Sequence, residues 1–238
     1  MSALAGSALV GGMVWARELW NYWKPRKVGV YGPQLVGKTT LDRFMTTPGE
    51  MEPIAEEERT THFRMMGRYV LPRPTRKRVR WKGEKRVVYS SDIGGDERFW
   101  SLWIDDMVHR QVEAVVFMFD DRAAKGGDEA IQAVGGFKYL VDALIHRQYR
   151  YRSLKTWWKG KKYAPKMVML VANKADKWWD DDASVLWQQD RIGEHKVFDP
   201  FRPDLIRLQK AGIPTRRGFM ATRIGWQVEN TMIDLLSG

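Results

Sequence analysis

Residues Gly32-Pro-Gln-Leu-Val-Gly37-Lys38-Thr39 set two glycines five apart and follow them with a lysine and a hydroxyl. The short apolar run Lys27-Val-Gly-Val-Tyr31 leads into this loop, and Thr40-Leu-Asp-Arg-Phe-Met45 continues from it with a helical pattern. A strand, a glycine-bounded loop and a helix in that order form a phosphate cradle. The backbone N–H groups of Gly32, Gln34, Val36 and Gly37, with those opening the helix at Lys38, Thr39 and Thr40, are expected to face a phosphate chain. Lys38 brings a positive charge to the β- and γ-phosphates, and the Thr39 hydroxyl takes a magnesium position.

Two further motifs follow in order. Asp92-Ile-Gly-Gly95 comes after a strand ending Val87-Val88-Tyr89. A carboxylate at a strand end holds Mg2+ through water, and Gly95 offers its N–H to a γ-phosphate with no side chain in the way. Asn173-Lys174-Ala175-Asp176 follows the apolar run Met167–Ala172. Asp176 can accept from the N1–H and 2-amino group of guanine, two donors that adenine lacks. Asn173 braces the neighbouring loops and the Lys174 stem lies along the base. Met220-Ala221-Thr222 closes the set, with the Ala221 N–H directed at guanine O6 and Thr222 beside it.

The remaining pattern is of apolar strands alternating with helices. Ala114–Phe119 and Met167–Ala172 read as buried strands, Gly218–Met220 as a short one. Trp100–His109, Asp128–Ile145 and Gln227–Leu236 read as helices. Arg64–Leu71 and Arg76–Ser91 read as a hairpin with its tip at Lys82-Gly83-Glu84, and Glu50–Thr61 as a loop. This alternation predicts an α/β P-loop NTPase fold, with a mostly parallel six-stranded sheet and helices on both faces.

Together these residues resemble the Ras superfamily of small GTPases, and most closely its ADP-ribosylation-factor (Arf-like) branch. The branch-specific pieces are Gly37-Lys-Thr-Thr40-Leu41, the doubled glycine before Asp96, and Ala221-Thr222 with Gly225 after it. The resemblance runs from about Lys27 to Leu236. It implies a guanine-nucleotide switch that binds GTP or GDP with Mg2+, works through an effector or regulatory protein, and closes two loops on the γ-phosphate.

The chain departs from that family in three places. Where the family carries a water-positioning glutamine, this chain has Asp96, a carboxylate that a γ-phosphate repels. Lys38 and Asp96 are therefore the catalytic candidates, and hydrolysis is expected to be slow without a partner. A non-hydrolysing GTP-binding scaffold is the alternative. Ser2 stands where Arf proteins carry a myristoylated glycine, so that anchor is expected to be absent. Finally, the G domain, residues 25–238, carries extra length near 147–166 and 177–215.

Arg147 to Lys166 holds eight basic residues, no acidic ones, and Tyr149, Tyr151, Trp157, Trp158 and Tyr163. Basic groups interleaved with aromatics suit an anionic membrane surface or RNA, and an RNA- or ribosome-associated GTPase is a third reading. The net charge of +11 points the same way. Thr60 and Thr61 both lie at a spacing after Lys38 from which a hydroxyl reaches magnesium; Thr61 joins Thr39 and Asp92 as the metal candidates. Arg59 beside them reads as solvent-exposed rather than as an internal arginine finger.

Residues 1–24 form a candidate N-terminal helix with Leu9, Met13, Ala16, Trp20 and Trp23 on one face, suited to packing on the domain or to a membrane interface. Its uncharged part is too short to span a bilayer. The absence of cysteine excludes disulfides and thiolate chemistry and fits a cytoplasmic protein, with a peripheral position at a membrane as the alternative.

Overall fold

The computed structural model describes residues 26–46, 64–70, 87–146, 150–151 and 161–236. The helix expected over 1–24, the loop Glu50–Thr61, the hairpin tip and most of the basic stretch lie outside them.

The chain enters as β1 (Arg26–Tyr31) and passes through the glycine loop into α1 (Lys38–Thr46). Strands β2 (Arg64–Val70) and β3 (Val87–Asp92) pair antiparallel. A 3-10 turn at Glu97–Phe99 leads into α2 (Trp100–Arg110), followed by β4 (Ala114–Phe119). A one-turn helix α3 (Arg122–Lys125) precedes the long α4 (Asp128–His146). The two-residue strands β5 (Arg150–Tyr151) and β6 (Lys161–Lys162) pair with each other alone. Then come β7 (Met167–Ala172), α5 (Ala175–Trp178), α6 (Asp181–Gln188) and α7 (Arg202–Lys210). Strand β8 (Thr215–Phe219) and α8 (Val228–Leu236) complete it.

The main sheet runs β2-β3-β1-β4-β7-β8, with β3, β1, β4, β7 and β8 parallel and β2 antiparallel at one edge. Every residue of β4 and β7 is buried, so each is apolar on both sides. Side chains alternate across a strand, and this sheet is covered twice. Val115, Phe117, Phe119, Val168, Leu170 and Ala172 meet Trp103 and Met107 of α2, Phe137 and Leu140 of α4, and Leu205 and Leu208 of α7. Val116, Met118, Met169 and Val171 meet Leu41 of α1 and Val228, Met232 and Leu235 of α8. The stretch 177–215 is built into this core: Phe201 sits with its ring centroid 4.5 Å from that of Phe119 and is fully buried.

Strand β8 begins at Thr215, three residues before the apolar signal at Gly218. Its polar first half is an edge pairing with β7, where Arg216 donates to the Asp234 carbonyl at 2.6 Å and Arg217 to that of Gly193 at 2.6 Å. Edge strands tolerate such residues because one side of the ladder is open.

Parallel strands in register end along one margin. Val30 pairs with Asp92, Tyr31 with Phe117, Phe119 with Ala172, and Ala172 with Phe219. The glycine loop, Asp92-Ile-Gly-Gly95, Asp120, Asn173 and Ala221 all emerge at this C-terminal edge, where open α/β sheets bind ligands.

Candidate nucleotide site

The glycine loop turns tightly enough that Leu35, a non-glycine, is held at φ 61° and 41% exposed. Such a left-handed leucine costs roughly 1 kcal/mol or more and persists only where its surroundings impose it. Gly37, at φ +95°, has no room for a side chain: a Cβ there would lie 2.4 Å from Asn173 Nδ2. Thr39 and Thr40 open α1 half-buried. Lys38 is 6% exposed and turns its ammonium back onto the loop, donating to the carbonyls of Gly32 at 2.9 Å and Pro33 at 2.7 Å. Those two bonds keep its charge satisfied at the loop.

Asn173 joins three motifs. It is fully buried, and its Nδ2 donates to the Val36 carbonyl at 2.7 Å and to Thr222 Oγ1 at 3.0 Å. The Thr222 N–H donates back to Asn173 Oδ1 at 3.1 Å. The expected brace is therefore present, between the phosphate loop and the turn after β8. Asp176 lies exposed in the first turn of α5.

The Ala221 N–H, by contrast, donates to the Trp226 carbonyl at 3.0 Å rather than standing open toward a base. The turn after β8 closes on itself through an Ala221–Trp226 bridge, and this takes up the donor expected to face guanine O6.

Gly95 rests directly on the phosphate loop, where a Cβ would lie 2.2 Å from the Pro33 carbonyl carbon and 2.4 Å from the Gln34 nitrogen. Trp103 anchors this segment from below, its Nε1 donating to the Gly94 carbonyl at 3.0 Å. Asp96 then caps the 3-10 turn by accepting the Arg98 N–H at 3.1 Å. Its carboxylate also pairs with Arg98 Nε at 2.9 Å and accepts from Gln34 Nε2 at 3.4 Å. The Arg98 guanidinium holds the Asp96 carboxyl below the usual carboxylate range. The Asp96 carboxylate thus lies beside a cation two residues away. Of the metal candidates, Asp92 ends β3 with its backbone opposite Val30, Thr39 opens α1, and Thr61 lies outside the described residues.

Several residues at this edge carry no motif. Asp120, 3% exposed, follows β4 and binds Lys174 Nζ at 2.8 Å and Arg122 Nη2 at 2.9 Å. Burial pushes its carboxyl up, but the hydrogen bonds from Arg122 and Lys174 outweigh this and hold it below its ordinary value. Arg122 Nη2 also reaches the Gln34 carbonyl at 3.4 Å. Asp120 therefore couples the glycine loop, through Arg122, to Lys174 after β7. Its one sequence signal is Asp120-Asp-Arg122 directly after a buried strand on the ligand edge.

Trp178 supports the base motif from the other side, its Nε1 donating to the Asn173 carbonyl at 2.9 Å while its ring stacks on His195 with centroids 5.2 Å apart. His195 Nδ1 accepts the Val197 N–H at 3.3 Å, which leaves its Nε2 to donate to Asp180 at 3.1 Å.

No described helix is long and apolar enough to cross a membrane. No protein-family model matches the chain, and no curated protein matches it.

Proposed function

We propose that this chain is a guanine-nucleotide-binding switch of the P-loop NTPase type, built on a six-stranded sheet, that hydrolyses GTP slowly with the help of a partner protein. The observation that carries the reading is the Asn173 amide bonded to both Val36 and Thr222. It ties the glycine loop to the turn after β8 through a residue three positions before Asp176, the order that a guanine-nucleotide site would need.

Phosphates would take up the loop N–H groups and draw Lys38 off the Gly32 and Pro33 carbonyls, exchanging neutral acceptors for charged ones. Thr39, in the first turn of α1, and Asp92, at the end of the strand beside β1, are the residues that would hold Mg2+. When bound with Thr61 as well, the ion would neutralise charge on the β- and γ-phosphates.

An anionic partner is the second part of the proposal. The register of β5 and β6 sets Arg150 opposite Lys162 and Tyr151 opposite Lys161. Arg147 to Lys166 carries eight basic residues and no acidic ones, a composition that suits an RNA backbone or an anionic membrane surface.

The test is calorimetry with GTP, GDP and ATP, with and without Mg2+, together with analysis of nucleotide retained on purification. Guanine-selective, Mg2+-dependent binding is expected. Equal affinity for ATP and GTP would overturn the reading. Binding without single-turnover hydrolysis, with or without lysate, would leave a non-hydrolysing scaffold.

A further inference from the structure

Gln34 is tied down more fully than a residue of a bare phosphate loop requires. Its carbonyl accepts from Arg122 Nη2 at 3.4 Å, and Arg122 is itself held on the buried Asp120. Its side-chain Nε2 donates to Asp96 Oδ2 at 3.4 Å. Its main-chain nitrogen lies against Gly95, which has no space for a Cβ on that side. The missing side chain at residue 95 is what lets residues 34 and 96 meet over the loop.

Asp96 is poorly placed to orient water. Oδ1 accepts from the Arg98 N–H at 3.1 Å and Nε at 2.9 Å. Oδ2 accepts from Arg98 Nη2 at 3.4 Å and from Gln34 at 3.4 Å. These four bonds use the lone-pair directions of a carboxylate, which has no proton to donate to phosphate. Gln34 is in the opposite position. With one N–H given to Asp96, its amide keeps an acceptor oxygen and a second N–H, the two functions needed to hold a water against a γ-phosphate oxygen.

We propose that Gln34 is the catalytic residue that orients the attacking water, with Asp96 and Arg98 as the positioning pair that seats its amide. This rests on the GTP-hydrolysing reading above. In the reaction the water oxygen bonds to the γ-phosphorus. The bond from that phosphorus to the β–γ bridging oxygen breaks, its electron pair leaving with GDP. One water proton passes to a γ-phosphate oxygen, giving dihydrogen phosphate. Gln34 accepts a hydrogen bond from the water and donates one to the phosphate, and neither gains nor loses a proton.

Gln34→Ala should leave GDP and GTP affinity within about threefold of wild type while slowing single-turnover hydrolysis about 100-fold. It should also abolish the extra affinity that aluminium fluoride confers on bound GDP. Gln34→Glu, which keeps the shape but has no N–H for Asp96, should be equally slow and guards against a folding artefact. Arg98→Ala should cost about tenfold, since only the seat is loosened. Wild-type hydrolysis rates in both Gln34 variants would overturn the inference alone, as would guanine-nucleotide binding by a wild type that does not hydrolyse GTP. A wild type with no guanine preference would overturn the function itself.

Discussion

Asn173 and Thr222, 49 residues apart in sequence, exchange two buried hydrogen bonds of 3.0 and 3.1 Å at the C-terminal edge of the sheet. The same asparagine amide reaches Val36, so one side chain fixes the relative placement of three loops. Asn173→Ala would strand the Val36 carbonyl and the Thr222 N–H away from water. A loss of about 2–4 kcal/mol is expected for two such groups. Urea unfolding should show it, and guanine-nucleotide affinity should fall at least about tenfold with it.

Lys38 turns its ammonium onto the carbonyls of the glycine loop. Lys38→Ala is expected to reduce GTP affinity by more than about 100-fold, since a charge-assisted contact to phosphate is lost. Calorimetry giving an affinity within a few-fold of wild type would count against the phosphate assignment.

Asp176 is exposed in the first turn of α5, three residues after the braced asparagine. Its two oxygens match the adjacent N1–H and 2-amino donors of guanine, and discrimination against ATP of about 100-fold follows from leaving a charged acceptor unpaired. Asp176→Asn should weaken GTP and favour xanthosine triphosphate, whose 2-oxo group accepts from the new amide. Competition binding with the three nucleotides on both proteins decides it.

Asp180 caps α6 through the Ala183 N–H at 2.9 Å and carries Lys196 at 2.9 Å. The Lys196 hydrogen bond, only partly opposed by burial and helped by Ala183 and His195, holds its carboxyl down at about 2. The folded value lies below the ordinary value of about 4, so its contribution is present above about pH 4 and lost as pH falls through about pH 2. Asp180→Asn keeps a cap but not the charge. Since the site is partly open to solvent, a deficit of about 0.5–1 kcal/mol near pH 6 is expected, vanishing near pH 2. Urea midpoints across that range measure it.

Replacing Arg150, Arg152, Lys161 and Lys162 by glutamate should weaken binding to single-stranded RNA or to anionic vesicles without changing GTP affinity. Wild-type binding to whichever surface is recognised should weaken steeply with salt, as counterion release requires. Wild-type protein that binds neither would leave the basic stretch a solvated face.

The bounds of β4 and β7 were legible residue by residue because strands covered on both sides must be continuously apolar, and polar residues mark where they emerge. The glycine loop, Asp92-Ile-Gly-Gly95 and Asn173-Lys-Ala-Asp176 were legible as neighbours on one edge for a related reason. Loops that follow parallel strands share one margin whatever lies between them. The polar edge strand β8 was legible only in its last residues, since an edge does not demand apolar character. Which partner each polar side chain takes was decided by the tertiary structure alone. Lys174 reaches Asp120 across 54 positions, Gln34 meets Asp96 because Gly95 lies flat on the loop, and the Ala221 N–H turns inward to Trp226. Hydrogen bonds act over about 3 Å, so they depend on which strands become neighbours and in what register. Local sequence patterns carry the period of each element but not that pairing.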